Sequence, residues 1–126
     1  MKKPYVAIVD DDSSFASYLR TFLSLRGYEA RCYTRGDELL MIAMSGETVI
    51  DWAIKFKQQF ASVAPMVWVA GYCNDMYGYV PTKRILAEGG YEGGRATLWS
   101  WMPAPFTDEV EDRLTAAVQR LVERTG

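Results

Sequence analysis

An apolar run that ends in three consecutive aspartates constrains the fold of this chain more than any other stretch. The run is Tyr5–Val9, and the acids occupy positions 10–12. Adjacent carboxylates repel one another unless a cation or the positive end of a helix offsets their charge. Ligands of open α/β sheets bind at the carboxyl ends of strands. The stretch therefore predicts a buried strand, a helix capped by Ser13 or Ser14, and a small cation or phosphoryl site between them.

Length, charge and residue usage exclude several classes of function. The 126 residues suit one domain with a single core. A net charge of -2 gives no general attraction to nucleic acid or anionic membranes, and no apolar run could span a bilayer, so we expect a cytoplasmic protein. The absence of histidine excludes a Ser–His triad and a His-ligated zinc site built from this chain alone. Cys32 and Cys73 fit neither a zinc spacing nor a disulfide framework.

Hydrophobic periodicity predicts alternating strands and helices in the first third of the chain. An apolar stripe at three- and four-residue steps predicts a helix that ends at Gly27, and residues 28–33 predict a second strand. Asp37 and Glu38 place negative charge at the start of a predicted helix from Leu39 to Met44. This β-α-β-α order predicts an α/β fold with a doubly wound parallel sheet of four or five strands flanked by helices.

The middle of the chain allows two interpretations. Residues 48–54 fit a buried strand, but they also fit the start of a helix that runs to Phe60. We favour the helix, because its periodicity holds for more than ten residues. Met66–Ala70 then predicts a buried strand, and residues 71–75 predict a loop at its carboxyl end.

The last third of the chain predicts two further helices and one strand. Thr82 is placed to cap a short helix over residues 83–88, and an amphipathic helix closes the chain. Residues 97–102 predict the last strand, in which Trp99 and Trp101 share one buried face.

Three motifs stand out in residues 4–44: Val-Ala-Ile-Val-Asp-Asp-Asp-Ser-Ser at 6–14, Gly-Tyr-Glu-Ala at 27–30 and Gly-Asp-Glu-Leu-Leu at 36–40. Through these motifs, residues 4–44 resemble the receiver domain of bacterial two-component response regulators. The resemblance implies a flavodoxin-like fold, in which an acidic pair after the first strand holds magnesium. Asp10 and Asp11 match that pair, and Asp12 matches the frequent third acid.

A magnesium ion at this position would agree with elementary coordination chemistry. Mg²⁺ binds one or two carboxylates together with water and phosphoryl oxygens, and it neutralises charge on a transferring phosphoryl group. The resemblance implies a phosphoacceptor after the third strand, and Asp51 is the candidate, although it lies a few residues early. The family's hydroxyl residue falls on Ala70 and its lysine on Ala104, so the usual readout of phosphorylation is missing. A histidine kinase or a small phosphodonor would be the partner.

Four further stretches, at residues 46–53, 68–75, 78–82 and 88–94, share a second resemblance. Through them, residues 46–126 resemble segments of neutral ceramidase-like proteins, which are much larger zinc amidohydrolases of N-acyl sphingosines. It implies a zinc-site tyrosine at Tyr79, but the histidine ligands and the serine-bearing segment of that family are absent here. The tyrosines of this region otherwise predict an aromatic loop packed on the sheet, or an exposed aromatic patch that includes Met76.

The two resemblances meet near residues 41–46, and three hypotheses follow. The first is a single receiver-like domain over residues 1–126 that binds Mg²⁺ at Asp10 and Asp11, is degenerate in phosphotransfer to Asp51 or retains it, and is not an enzyme. The second is an engineered or recombined α/β chimera without activity of its own. The third is an inactive fragment of a ceramidase-like zinc hydrolase.

Overall fold

The chain is a mixed α/β protein, as the sequence predicts. The computed structural model describes residues 5–33, 38–100 and 102–125. The elements in these ranges are, in chain order, β1 (Tyr5–Val9), α1 (Ser13–Leu25), β2 (Glu29–Tyr33), β3 (Leu39–Ala43), β4 (Glu47–Thr48), α2 (Ile50–Gln59), β5 (Met66–Ala70), β6 (Tyr79–Val80), α3 (Lys83–Glu88), α4 (Gly90–Gly93), a 3-10 helix (Arg95–Trp99) and α5 (Glu109–Thr125).

The chain divides into two compact units. The first unit consists of Met1–Leu40 and Ala61–Val67, and the second unit consists of Met41–Phe60 and Trp68–Gly126. In the described ranges the strands pair two by two, as β1 with β2, β3 with β5 and β4 with β6. The predicted doubly wound sheet of four or five strands is therefore not confirmed. None of the helices in these ranges has both the length and the apolar character needed to cross a bilayer.

Two parallel strands joined by a helix form the start of the first unit. β1 pairs with β2 from Tyr5 opposite Glu29 to Val9 opposite Tyr33. The predicted strands at both places are confirmed. Parallel neighbours need a crossover connection, and α1 supplies it here. The crossover leaves the residues that follow β1 at the carboxyl end of the strand pair.

The first turn of α1 is capped by an aspartate. One carboxylate oxygen of Asp12 accepts hydrogen bonds from the backbone N–H groups of Ser14 at 2.8 Å and Phe15 at 3.0 Å. The prediction that a serine caps this helix is therefore wrong. A carboxylate satisfies the same free N–H groups as a hydroxyl does, and its charge also interacts favourably with the helix dipole.

The other end of α1 closes as predicted. Gly27 adopts a φ of +87°, and the N–H of Tyr28 donates to the carbonyl of Leu23 at 3.1 Å. Gly27 itself donates to Ser24 at 3.1 Å, which completes a Schellman motif. Glycine adopts this left-handed conformation without the steric penalty that a Cβ atom brings.

The apolar stripe of α1 is less buried than its periodicity predicts. Phe15, Tyr18 and Phe22 are 49%, 63% and 39% exposed, whereas Ala16 is buried. The guanidinium of Arg26 lies 3.6 Å from the centre of the Phe22 ring and covers part of it. Periodicity therefore identified the helix correctly but overestimated how much of its apolar face is covered.

Aromatic side chains of α2 form the core of the second unit. Trp52, Phe56 and Phe60 are almost completely buried, and their rings follow one another at centroid distances of 5.5 and 5.9 Å. The indole N–H of Trp52 donates to the carbonyl of Val80 at 2.8 Å, so its polar atom is satisfied inside the core. The helix that we favoured over a strand is therefore confirmed.

The helix predicted from Leu39 to Met44 is wrong, because Leu39–Ala43 forms the strand β3. Its side chains alternate between exposed and buried, with Ile42 and Met44 inside and Met41 and Ala43 outside. The N–H of Met44 continues this pairing and donates to the carbonyl of Ala70 at 2.8 Å. A short apolar run has no periodicity that distinguishes a helix from a strand. Its conformation therefore depends on whether a partner strand is available to pair with it.

The strand predicted over residues 97–102 is also wrong. The chain forms a 3-10 helix at Arg95–Trp99, and the hydroxyl of Thr97 donates to the carbonyl of Gly94. Such local hydrogen bonds compete with strand formation. Trp99 is 83% exposed, so its predicted burial is wrong, while Trp101 lies outside the described residues.

Gly46 occupies a tightly enclosed turn between β3 and β4. Its φ is +74°, and its N–H donates to the carbonyl of Asp75 at 2.8 Å. A Cβ atom at this position would lie 2.9 Å from the carbonyl oxygen of Gly78 and 2.8 Å from a methyl carbon of Val80. Both the backbone conformation and the available space therefore require glycine here.

We expect the substitution Phe56→Ala to destabilise the protein by about 3–5 kcal/mol, because it leaves a cavity in a fully buried aromatic row. Ile54→Ala is the matched control on the same helix, since Ile54 is 51% exposed, and it should cost less than about 1 kcal/mol. Urea denaturation of both variants measures the difference. Equal losses in the two variants would contradict this description of the core.

Candidate functional site

The three consecutive aspartates lie in the first unit, between β1 and α1. The N–H of Asp10 donates to the carbonyl of Tyr33 at 3.1 Å, which extends the β1–β2 pairing by one residue. One carboxylate oxygen of Asp10 accepts the N–H of Asp12 at 2.9 Å. Asp10 is half-buried, whereas Asp11 and Asp12 are exposed. The acids therefore sit where the sequence places them, at the carboxyl end of the first strand.

Asp10 and Asp11 carry carboxylates, the kind of ligand that magnesium accepts. One carboxylate oxygen of Asp12 accepts the hydrogen bonds of the helix cap, and one carboxylate oxygen of Asp10 accepts the hydrogen bond of the turn. Within the described ranges, no group of three or more His, Cys, Asp or Glu side chains is arranged to hold a metal ion. Mg²⁺ needs only one or two carboxylates and keeps several waters. Asp10 and Asp11 could hold it, and the ion would supply charge neutralisation for a phosphoryl group.

The candidate phosphoacceptor Asp51 lies in the first turn of α2, in the second unit. Both of its carboxylate oxygens are occupied. Arg84 donates to one oxygen through Nη2 at 2.7 Å and to the other through Nε at 2.8 Å. The hydroxyl of Thr82 donates to the second oxygen, also at 2.8 Å. This two-pronged guanidinium–carboxylate contact holds the pKa of Asp51 below its usual value, and the Thr82 hydroxyl lowers it further.

A second ion pair borders the same region. Lys55 of α2 donates to Glu111 of α5 at 2.7 Å, and this bond lowers the pKa of Glu111. The other oxygen of Glu111 accepts the backbone N–H of Lys83 at 2.8 Å, at the start of α3. An open cleft of about 490 Å³ lies beside these pairs. The charged groups that line it therefore stabilise one another.

The predicted site residues belong to different units of the structure. The acidic pair belongs to the first unit, whereas Asp51 belongs to the second unit and is neutralised there. Thr82 was predicted as a helix cap, and it does occupy the cap position of α3. It makes no side-chain capping bond, however, because its hydroxyl is directed to Asp51. Its role as a partner of that carboxylate was missed.

Arg84, Lys55 and Glu111 were also missed by sequence reasoning. Arg84 is separated from Asp51 by 33 residues, and Glu111 from Lys55 by 56. Helix propensity and charge pattern act over a few residues, so neither pair leaves a local signal in the sequence. Only the arrangement of α2, α3 and α5 brings them together.

Comparison of the chain with protein-family models, with curated proteins and with solved structures finds no match. The receiver and ceramidase resemblances therefore stay predictions. The geometry of the acids and of the Asp51 cluster supplies the observations from which function is argued.

We expect Asp51→Asn to lower stability by about 1 kcal/mol at neutral pH, because it removes the charge that Arg84 and Thr82 bind while the half-exposed guanidinium limits the loss. The folded protein holds the pKa of Asp51 down, so this stabilisation is present above the unfolded pKa of about 3.9 and disappears as the pH falls through the lower folded value. The difference between wild type and variant should therefore shrink below about pH 3.

Urea denaturation at neutral and acidic pH checks this expectation. Glu88→Gln is the control, because it removes only an exposed partner of Arg84 and should change stability by less than about 0.5 kcal/mol. A loss in Asp51→Asn that stays constant down to acidic pH would show that the carboxylate charge is not what stabilises the contact.

Proposed function

We propose that this chain is a receiver-like regulatory domain that binds Mg²⁺ at Asp10 and Asp11. One observation carries the proposal. β1 and β2 form a parallel pair joined by α1, and these acids follow β1 at its carboxyl end. Ligands of α/β proteins bind at such strand ends. The flavodoxin-like, doubly wound sheet of four or five strands belongs to the same proposal.

In the proposed function each acid has a different task. Asp12 holds the first turn of α1, so the backbone that carries Asp10 and Asp11 is fixed by the cap. The turn bond from the N–H of Asp12 fixes the side chain of Asp10. Asp11 is exposed and uncommitted in this turn, so it would contribute a charged ligand to the ion. A hard cation would relieve the repulsion between the two neighbouring carboxylates.

The proposed domain is degenerate in phosphotransfer. A phosphoacceptor carboxylate must present a free oxygen to the phosphorus atom, and both oxygens of Asp51 are bound by Arg84 and Thr82. The family's hydroxyl and lysine positions carry Ala70 and Ala104. A histidine kinase would therefore not find a competent acceptor, and the domain would respond to the metal ion or to a partner protein instead.

A second candidate is a recombined α/β chimera without activity of its own. It is favoured by one of the three points at which the chain passes between the two units, the one between Leu40 and Met41. The two family resemblances meet next to this point, near residues 41–46. Residues 61–67 belong to the second resemblance but to the first unit, so the units and the resemblances coincide only at this one point. This candidate differs from the first in that no specific metal response is expected.

Millimolar Mg²⁺ should stabilise the wild-type protein, and Asp11→Asn should abolish the effect. At ten times the dissociation constant, binding to the folded state alone contributes about 1.4 kcal/mol, which raises Tm by several degrees. Thermal unfolding with and without Mg²⁺, at matched ionic strength, measures this change in Tm. Asp108→Asn, which removes an exposed acid elsewhere, should keep the full response. A Tm that does not change with Mg²⁺ would favour the chimera.

Incubation with acetyl phosphate and Mg²⁺ should leave the mass of the wild-type protein unchanged, because Arg84 and Thr82 occupy the oxygens of Asp51. Intact mass spectrometry reads this directly. If the protein gained the mass of one phosphoryl group and Asp51→Asn prevented the gain, phosphotransfer would be intact and the degenerate form of the proposal would be wrong.

A further inference from the structure

Three tyrosines and one glutamate converge in the second unit, and we call them the tyrosine–glutamate cluster: Glu47, Tyr72, Tyr79 and Tyr91. Glu47 of β4 and Tyr79 of β6 are register partners in the parallel pair. The backbone of Tyr72 lies next to β4, because its N–H donates to the carbonyl of Gly46 at 2.8 Å. The ring of Tyr91 meets that of Tyr79 edge to face, at a centroid distance of 5.6 Å and an angle of 77°.

The cluster carries negative charge that no described cation offsets. Hydrogen bonding to Glu47 raises the pKa of Tyr72 to about 12, and it also raises the pKa of Tyr79. Glu92 adds a further negative charge near Tyr79. Among the residues that the structure describes, neither Glu47 nor Glu92 forms an ion pair with a lysine or arginine. The hydroxyls of Tyr72 and Tyr79 therefore hydrogen-bond to a carboxylate that forms no ion pair among the described residues.

Two of the three rings of the cluster are open to solvent, and that of Tyr79 is half-buried. Tyr72 is 59% exposed and Tyr91 is 52% exposed. Tyr72 also has a φ of +60°, a left-handed conformation that is a genuine outlier for a bulky side chain. Strain of this kind persists only where the surroundings impose it, and it concentrates at functional sites. Here the strained backbone holds an exposed ring beside Glu47.

We propose that the tyrosine–glutamate cluster binds a quaternary ammonium group. Aromatic faces attract such cations through the ring quadrupole, and the cluster presents the exposed rings of Tyr72 and Tyr91. The carboxylate of Glu47 complements the positive charge. A primary ammonium is more strongly hydrated, so it gains less from aromatic walls than a methylated cation does. The proposal is independent of the acids at positions 10–12.

Choline and Nε-trimethyl-lysine are the two probes, because a choline-bearing small molecule and a methylated lysine present the same cation. Titration of the full chain with each, followed by NMR or calorimetry, should show saturable binding at millimolar concentrations or tighter. The neutral isostere 3,3-dimethylbutanol should not bind, since it has the shape of choline without its charge. The probe that binds more tightly identifies the source of the cation.

Substitutions locate the binding. Tyr91→Leu should weaken binding by about tenfold, whereas Tyr91→Phe keeps the ring and should stay within about twofold of wild type. Glu47→Gln should weaken binding as well, through loss of the negative charge. Tyr18→Leu, which removes a 63% exposed tyrosine of the first unit, is the matched control and should have no effect.

Absence of saturable binding by either cation would overturn the proposal. Equal binding of 3,3-dimethylbutanol would also overturn it, because the site would then be merely apolar. Unchanged affinity in both Tyr91→Leu and Glu47→Gln, with the fold intact by circular dichroism, would place any binding elsewhere on the molecule.

Discussion

The burial of the aromatic face of α2 is the interaction on which the second unit depends. Trp52 fills the core and binds the carbonyl of Val80, and Asp51, the residue before it, binds Thr82 and Arg84. Two neighbouring positions on one helical turn therefore fix the chain from the end of β6 into α3. The burial of Trp52 and the ion pair of Asp51 with Arg84 both hold this part of the chain in place. The ion pair alone would be weak, because its guanidinium is half-exposed.

Elements with strong local signals could be predicted from the sequence. β1 follows from a β-branched apolar run, the end of α1 follows from Gly27, and α2 follows from a stripe more than ten residues long. The errors at β3 and at the 3-10 helix share one cause. Both are short segments whose conformation is decided by a hydrogen-bond partner, Ala70 for β3 and Gly94 for the 3-10 helix, that the local pattern does not reveal.

The candidate site residues also divide into those that the sequence predicts and those that it does not. Asp10 and Asp11 are adjacent in sequence and follow an obvious strand, so their common location could be predicted. The partners of Asp51 could not be predicted, because an ion pair across more than thirty residues depends on how α2 and α3 pack. The tyrosine–glutamate cluster was visible in part, as a region rich in tyrosine. Its carboxylate was not, since Glu47 reaches it only through the register of β4 and β6.

Gly46 has a consequence for the strand pair that follows it. Its conformation and its enclosure by Gly78 and Val80 leave no room for any side chain. This residue lies at the edge of the segment where the two family resemblances meet. Any other residue at this turn would require the carbonyl of Gly78 or the side chain of Val80 to move, and it would also have to adopt a left-handed conformation. The pairing of β4 with β6 therefore depends on a hydrogen atom at position 46 where every other residue carries a carbon.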